Sequence, residues 1–191
     1  MALVLIAGPG AEPLTLDEVK MHLRVDGNAE DALITSLILT SRLHIEAALG
    51  LALMTQSWKL VLDAWPADGL VPLPIAPVAA VTETRILAAD GTPDTLPPGS
   101  IILDSSRRPA RLAPSEGQWP PPGRRYAGIE IDLTAGFGTA PDDVPQPIRQ
   151  ALLLLIAHWY EHRDPVEIGA PATAVPHAVS RLLNPYRPVR L

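Results

Sequence analysis

Cysteine is absent from the 191 residues. Its absence removes disulfides, thiolate metal sites and cysteine nucleophiles together, and fits a reducing compartment. Aromatic side chains make up only 4% of the chain, so any core has to be built from Leu, Ile, Val and Ala. Charged residues are also few, at 19%, low for a chain whose whole surface meets water. The net charge of −6 excludes a protein that grips nucleic acid through its entire surface. The opening "MALVLIAGPG" is apolar but has no basic start, and its run is too short for a secretory signal. No stretch is expected to reach the length of a membrane span. These absences point to a product made and used in a cytoplasm, or in a particle assembled there. Enzyme signatures are missing too. "GPGAEP" lacks the Lys-Ser/Thr of a phosphate loop, "AGFG" lacks the full dinucleotide fingerprint, and no G-x-S-x-G elbow occurs.

Proline, in contrast, is abundant: 22 residues, about twice average usage, spread between apolar runs as stops and braces. "TLDE", Thr15 to Glu18, has the pattern of a capping box and predicts a short helix to about Val25. Asn28 is placed to cap a second helix from about Ala29 to Leu49, closed by Gly50. Its apolar stripe runs through Ile34, Leu37, Ile38, Ser41, Ile45, Ala48 and Leu49 at helical spacing. From Thr55 the period becomes two. Trp58, Leu60 and Leu62 alternate with polar neighbours, and Ile129, Ile131 and Leu133 do the same, so residues 55–137 predict a small antiparallel sheet with Pro-rich loops. The basic clusters Arg107-Arg108-Arg111 and Arg124-Arg125 fall in those loops and are expected to be solvated. Pro147 opens a last long helix that Asp164-Pro165 ends. Ile148, Ala151, Leu152, Leu155 and Trp159 form one face, while Leu153 and Leu154 point elsewhere. A helix apolar nearly all round is buried on more than one side, which makes Leu153, Leu154 and His158 candidates for a subunit interface. Residues 165–191 are Pro-rich and basic, with no acidic side chain after Glu167. They hold one short helical pattern, Val175 to Leu183, and are otherwise expected to form an extended docking arm, in which Arg181, Tyr186, Arg187 and Arg190 are the candidate contacts.

The one stretch that suggests catalysis is "HWYEH". His158, Glu161 and His162 reproduce H-x-x-E-H, in which two imidazoles one helical turn apart share a zinc and the glutamate activates its water. Such a site needs a third protein ligand. Nearby Asp164 and Glu167 flank Pro165 closely, and nothing singles out Asp142 or Asp143 upstream. Histidines near a helix C-terminus are also favoured electrostatically and can cap a core edge. The residues therefore favour structural histidines, with no catalytic residue, metal or cofactor, and a zinc-dependent hydrolase is kept as the alternative function.

The order of elements carries a resemblance. "LTLDEVKMHLRVD", then "IEAALG", then "QSW", and finally "PIRQALLLLIAHWYE" resemble the head–tail connector, or portal-adaptor, family of tailed phages and the closely similar adaptors of gene transfer agents. The resemblance covers most of residues 14–163. It implies an α+β fold: a bundle of two N-terminal helices (15–49) and a long C-terminal helix (147–163), an inserted sheet over about 55–137, and the arm 165–191 attached to an adaptor domain over 1–164. It further implies a structural, non-enzymatic protein in the neck of a virion or phage-like particle assembled in the host cytoplasm. Twelve subunits would form a ring joining the portal protein to the next neck component, a stopper or tail terminator. DNA would pass through the channel without sequence-specific binding, and no membrane would be involved. "HWYEH" would then be the last turn of the closing helix.

Overall fold

The computed structural model describes residues 1–97, 99–162 and 176–187. The chain is α+β and divides into two compact units, residues 1–10 with 50–137 and residues 11–49 with 138–191.

The first unit is all β. Strands β1 (Ala2–Ala7), β2 (Gln56–Leu62), β4 (Val78–Leu87), β5 (Pro93–Thr95) and β8 (Ile129–Ala135) form an antiparallel sheet in the order β1-β2-β8-β4-β5. Strands β3 (Val71–Leu73), β6 (Ile101–Asp104) and β7 (Ala110–Pro114) form a second sheet in the order β3-β7-β6. The period-two reading of the central strand holds: Ile129, Ile131, Leu133 and Ala135 are buried, and the residues between them are half-buried. Register places Leu60 and Thr84 on either side of Ile131. From the same face Leu60, Ile129 and Leu133 join Val71, Leu73 and Leu112 of the second sheet in one hydrophobic cluster. The opposite face carries charge. Arg85 bonds Glu130 at 3.0 Å and Asp132 at 2.6 Å, and Lys59 bonds Glu130 at 2.9 Å. Long loops are pinned by Trp65 stacked on Trp119, ring centroids 4.2 Å apart, with each indole N–H donating to a loop carbonyl. Gly136 has no alternative. Its φ is +141°, and a Cβ there would lie 2.4 Å from the Met54 carbonyl oxygen.

The sheet expected over 55–137 takes in one strand that the alternation rule misses. β1 pairs antiparallel with β2, Leu3 opposite Leu60. Its sequence ALVLIA has no polar residue to mark two faces, so the period that reveals strands is absent.

The second unit is helical: α1 (Leu16–Leu23), α2 (Asp31–Leu49), α3 (Gln146–Glu161) and α4 (His177–Leu183), with short 3₁₀ turns at Pro141–Asp143 and Asn184–Tyr186. The capping box of α1 is complete. Thr15 N–H donates to Glu18 Oε2 at 2.8 Å, and Glu18 N–H donates to Thr15 Oγ1 at 3.2 Å. The helix ends at Arg24 in the left-handed region, φ 57°. α3 packs against α1, α2 and α4, with Ile148, Ala151, Leu152, Leu155 and Ile156 buried on it and Ile34, Ile38 and Ile45 buried on α2.

The α2 stripe requires two corrections. Ala48 is exposed, and the places at the core edge are taken by Arg42 and Glu46 instead. Arg42 bonds Glu46 at 2.7 Å and Glu12 at 2.7 Å, and this neutralisation is what lets two charged side chains sit on a buried face. The periodicity rule counts only apolar residues and passes over such pairs.

Candidate assembly surfaces

At the end of α3 the two histidines of H-x-x-E-H do converge, with ring centroids 4.7 Å apart and planes inclined by 37°. His162 is turned back on its own helix, however. Its backbone N–H bonds the His158 carbonyl at 3.1 Å, and its Nδ1 lies 2.9 Å from the same oxygen. His162 and Glu161 are exposed and His158 half-buried. The neighbouring aromatics are engaged in packing: Trp159 meets His44 of α2 edge-on at 5.6 Å, and the Tyr160 hydroxyl donates to Glu30. Among the described residues no group of three His, Asp or Glu side chains could hold a metal ion.

A different feature stands out on α2. Ala32, Ser36, Leu39, Leu43 and Ala47 recur every three or four residues and all are exposed, with Leu39 at 43% and Leu43 at 50%. The hydroxyls beside this stripe do not look outward for partners. Thr35 donates to the Asp31 carbonyl at 2.7 Å and Thr40 to the Ser36 carbonyl at 2.8 Å. The three formal charges of the helix are paired: Asp31 with Lys20 at 2.7 Å, and Arg42 and Glu46 with each other on the buried side. The exposed side of this 19-residue helix is thus left with leucine and alanine methyls, small hydroxyl side chains and one imidazole, His44, which meets Trp159.

That composition corrects one expectation. By length and composition α2 is long and apolar enough to cross a membrane, with mean hydropathy 1.3. Its apolar character has two sources, the core stripe of Ile34, Ile38 and Ile45 and the bare outer stripe. A bilayer would have to accept Arg42 and Glu46 mid-helix, whereas a second protein surface needs to cover only the outer face.

On α3, Leu153, Leu154 and His158 are half-buried, so the two leucines keep apolar surface beyond the core face. In the C-terminal segment α4 docks on α3 through buried Val179 and Leu183, so this stretch of the expected arm is helical and packed. Arg181 and Arg187 are exposed on and just after it, and Tyr186 is half-buried. Arg190 and all of residues 163–175 lie outside the described residues.

Electrostatics ties the helical unit together at one residue. Arg149 of α3, 7% exposed, contacts both Glu18 of the α1 capping box and Asp142 of the preceding turn. Burial works to raise the Glu18 carboxyl, but hydrogen bonds from Thr15 and the Arg149 guanidinium outweigh it and hold it below its ordinary value. On the sheet, the bond from Lys59 lowers Glu130, with Arg85 adding to it against burial.

A four-helix unit and a two-sheet β unit, with apolar helical surface left uncovered, fit a protein that works by assembly. Comparison with known proteins gives that class its family. A sequence profile of the family "Phage gp6-like head-tail connector protein" matches residues 13–83, the stretch from α1 into β4. The whole chain superposes on a chain from the neck of an empty gene transfer agent (GTA) particle computed with C6 symmetry. The TM-score is 0.84 at 32% identity, covering 100% of this chain and 97% of the other. A chain from the virion of a native GTA particle gives 0.83 at 31% identity, and one from the neck of a native GTA particle computed with C12 symmetry gives 0.79 at 31%, each with the same coverage. No curated protein matches. The chain belongs to the phage gp6-like head–tail connector family.

Proposed function

We propose that the chain is a structural adaptor in the neck of a phage-like particle, repeated as a closed ring that joins the capsid portal to the next neck or tail component. The observation that carries the ring is the uncharged outer stripe of α2. A face with Leu39 and Leu43 about half exposed and no formal charge gains from being covered, and a head-to-tail ring covers the same face in every copy. Leu153, Leu154 and His158 on α3 are the proposed counterpart. Relatives from GTA necks computed with sixfold and twelvefold symmetry support a ring of twelve.

The remaining assignments follow from chemistry and position. Arg181, Tyr186, Arg187 and Arg190 are proposed to hold the portal, the arginines against carboxylates and the tyrosine as a rigid anchor. The protein performs no catalysis, and H-x-x-E-H serves as helix-end packing. DNA passes through the ring without being read, and the net charge of −6 keeps the wall from binding phosphate.

The test is co-assembly. Mixing the chain with its portal is expected to give portal-capped rings, and R181E/R187E, at two exposed positions, is expected to abolish capture while α4 keeps its packing on α3. A chain that never associates with the portal would overturn the proposal, and unchanged affinity of R181E/R187E would overturn the portal contacts.

A further inference from the structure

Three of the chain's five histidines gather at one end of the helical unit. His44, exposed on α2, meets Trp159 of α3 edge-on at 5.6 Å. At the end of α3, half-buried His158 and exposed His162 lie 4.7 Å apart, ring to ring. The place of His44 matters because of its neighbours. It follows Leu43 and lies one turn from Thr40 and Ala48, so it borders the bare outer stripe. It is also the one exposed titratable side chain of α2, since Arg42 and Glu46 are buried and Asp31 is half-buried against Lys20. His158 in turn belongs to the α3 surface proposed to cover that stripe in the next copy.

We infer that the contact between copies is an acid-sensitive switch: His44 and His158 are covered while neutral, and their protonation releases the neighbouring copy. The inference rests on the ring reading. Histidine is the side chain that changes charge between about pH 5 and 8. A neutral imidazole packs against leucine and alanine, whereas an imidazolium stripped of water is costly unless a carboxylate meets it. The carboxylates of the surrounding helices are mostly committed. Glu46 holds Arg42, Asp31 holds Lys20, Glu18 holds Arg149, and Glu30 accepts from the Tyr160 hydroxyl. Asp17 on α1 and Glu161 on α3 are exposed to water, while His22 on α1 and His177 and Arg181 on α4 add positive charge or none. Covering therefore opposes protonation. The contact is at full strength above the histidine range and weakens as pH falls through it. The fold outlasts the contact, because Glu18 and Glu130 are held below the ordinary 4.5.

Ring occupancy on the portal, measured by mass photometry at about pH 7.5 and about pH 5.5, tests the switch. Wild-type affinity is expected to fall about tenfold or more at the lower value, while the melting midpoint of the free chain holds. H44F/H158F carries flat rings that never charge and is expected to stay assembled at both values. Equal wild-type affinity at both would overturn the switch and leave the adaptor reading standing. A loss in H44F/H158F as steep as in wild type would assign the acid response to other groups and overturn it too. Absence of rings at the higher value would overturn the adaptor reading itself. A second measurement needs no variant: deuterium exchange at the imidazole C2 carbon, read by mass spectrometry in wild-type rings and in the free chain. It is expected to slow on assembly at His44 and His158 and to stay unchanged at His22. Unchanged exchange at all three would contradict the proposal.

Discussion

Arg149 and Glu18 are 131 residues apart in sequence and form an ion pair that joins α3 to the cap of α1. The same guanidinium reaches Asp142, so one side chain fixes the start of two helices. Arg42 plays a parallel part on α2, with one contrast that matters for energy. Its partner Glu46 is buried, at 10% side-chain exposure, whereas Glu18 is 40% exposed and Asp142 is 87% exposed.

The contrast predicts unequal costs. Arg42→Met strands a buried carboxylate and is expected to destabilise by about 3–5 kcal/mol. Arg149→Met leaves its carboxylates to water and is expected to cost about 1–3 kcal/mol, the worth of a charged hydrogen bond with part of it screened. Denaturant titration of the two variants checks the order. Adding Glu46→Gln is expected to recover much of the loss in Arg42→Met and nothing in Arg149→Met.

Acid is expected to loosen the fold through Glu130 and Glu18. Both are held below the ordinary glutamate value of 4.5. A carboxylate whose folded pKa is depressed stabilises the fold above its unfolded pKa and loses that contribution as pH falls through the folded one. Stability should therefore be level from neutral pH down to about 4.5 and decline below it. Glu130→Gln is expected to make the acid limb shallower in thermal melts across that range, and an unchanged slope would contradict the assignment.

The α2 stripe predicts a separation of folding from assembly. L39K/L43E changes exposed positions and is expected to alter stability by no more than about 0.5 kcal/mol. Ring formation on the portal is expected to be lost, as read by mass photometry or negative-stain imaging.

Helix-end histidines predict indifference to metal. A chelator is expected to leave the melting temperature unchanged, and the double variant H158A/H162A is expected to bind no less zinc than wild type. Stoichiometric zinc that disappears in the double variant would instead favour the hydrolase.

Much of this was legible in the sequence because local chemistry and tertiary packing agree there. Thr15 and Glu18 announce α1 by a capping pattern that needs no other part of the chain, and Ile129, Ile131 and Leu133 announce β8 by strict alternation. What escaped depends on partners far away in the chain. β1 shows no alternation because none of its six residues is polar, even though Leu3 packs against the core cluster. Arg42 and Glu46 are polar residues on a buried face, intelligible only once their pairing with each other and with Glu12 is seen. The outer stripe of α2 is hidden for a related reason. Leu39 and Leu43 add to the apolar count like core residues, and only their exposure shows that they belong to a second surface. In the sequence Leu153 and Leu154 suggested surplus apolar surface on α3, whereas the more exposed surface lies on α2.

Imaging the chain bound to its portal at side-chain resolution is the most direct test of the account. It predicts a closed ring in which Leu39 and Leu43 of every copy are buried against the neighbouring copy. A ring with those side chains still facing solvent, or a chain that stays a single molecule beside its portal, would contradict it.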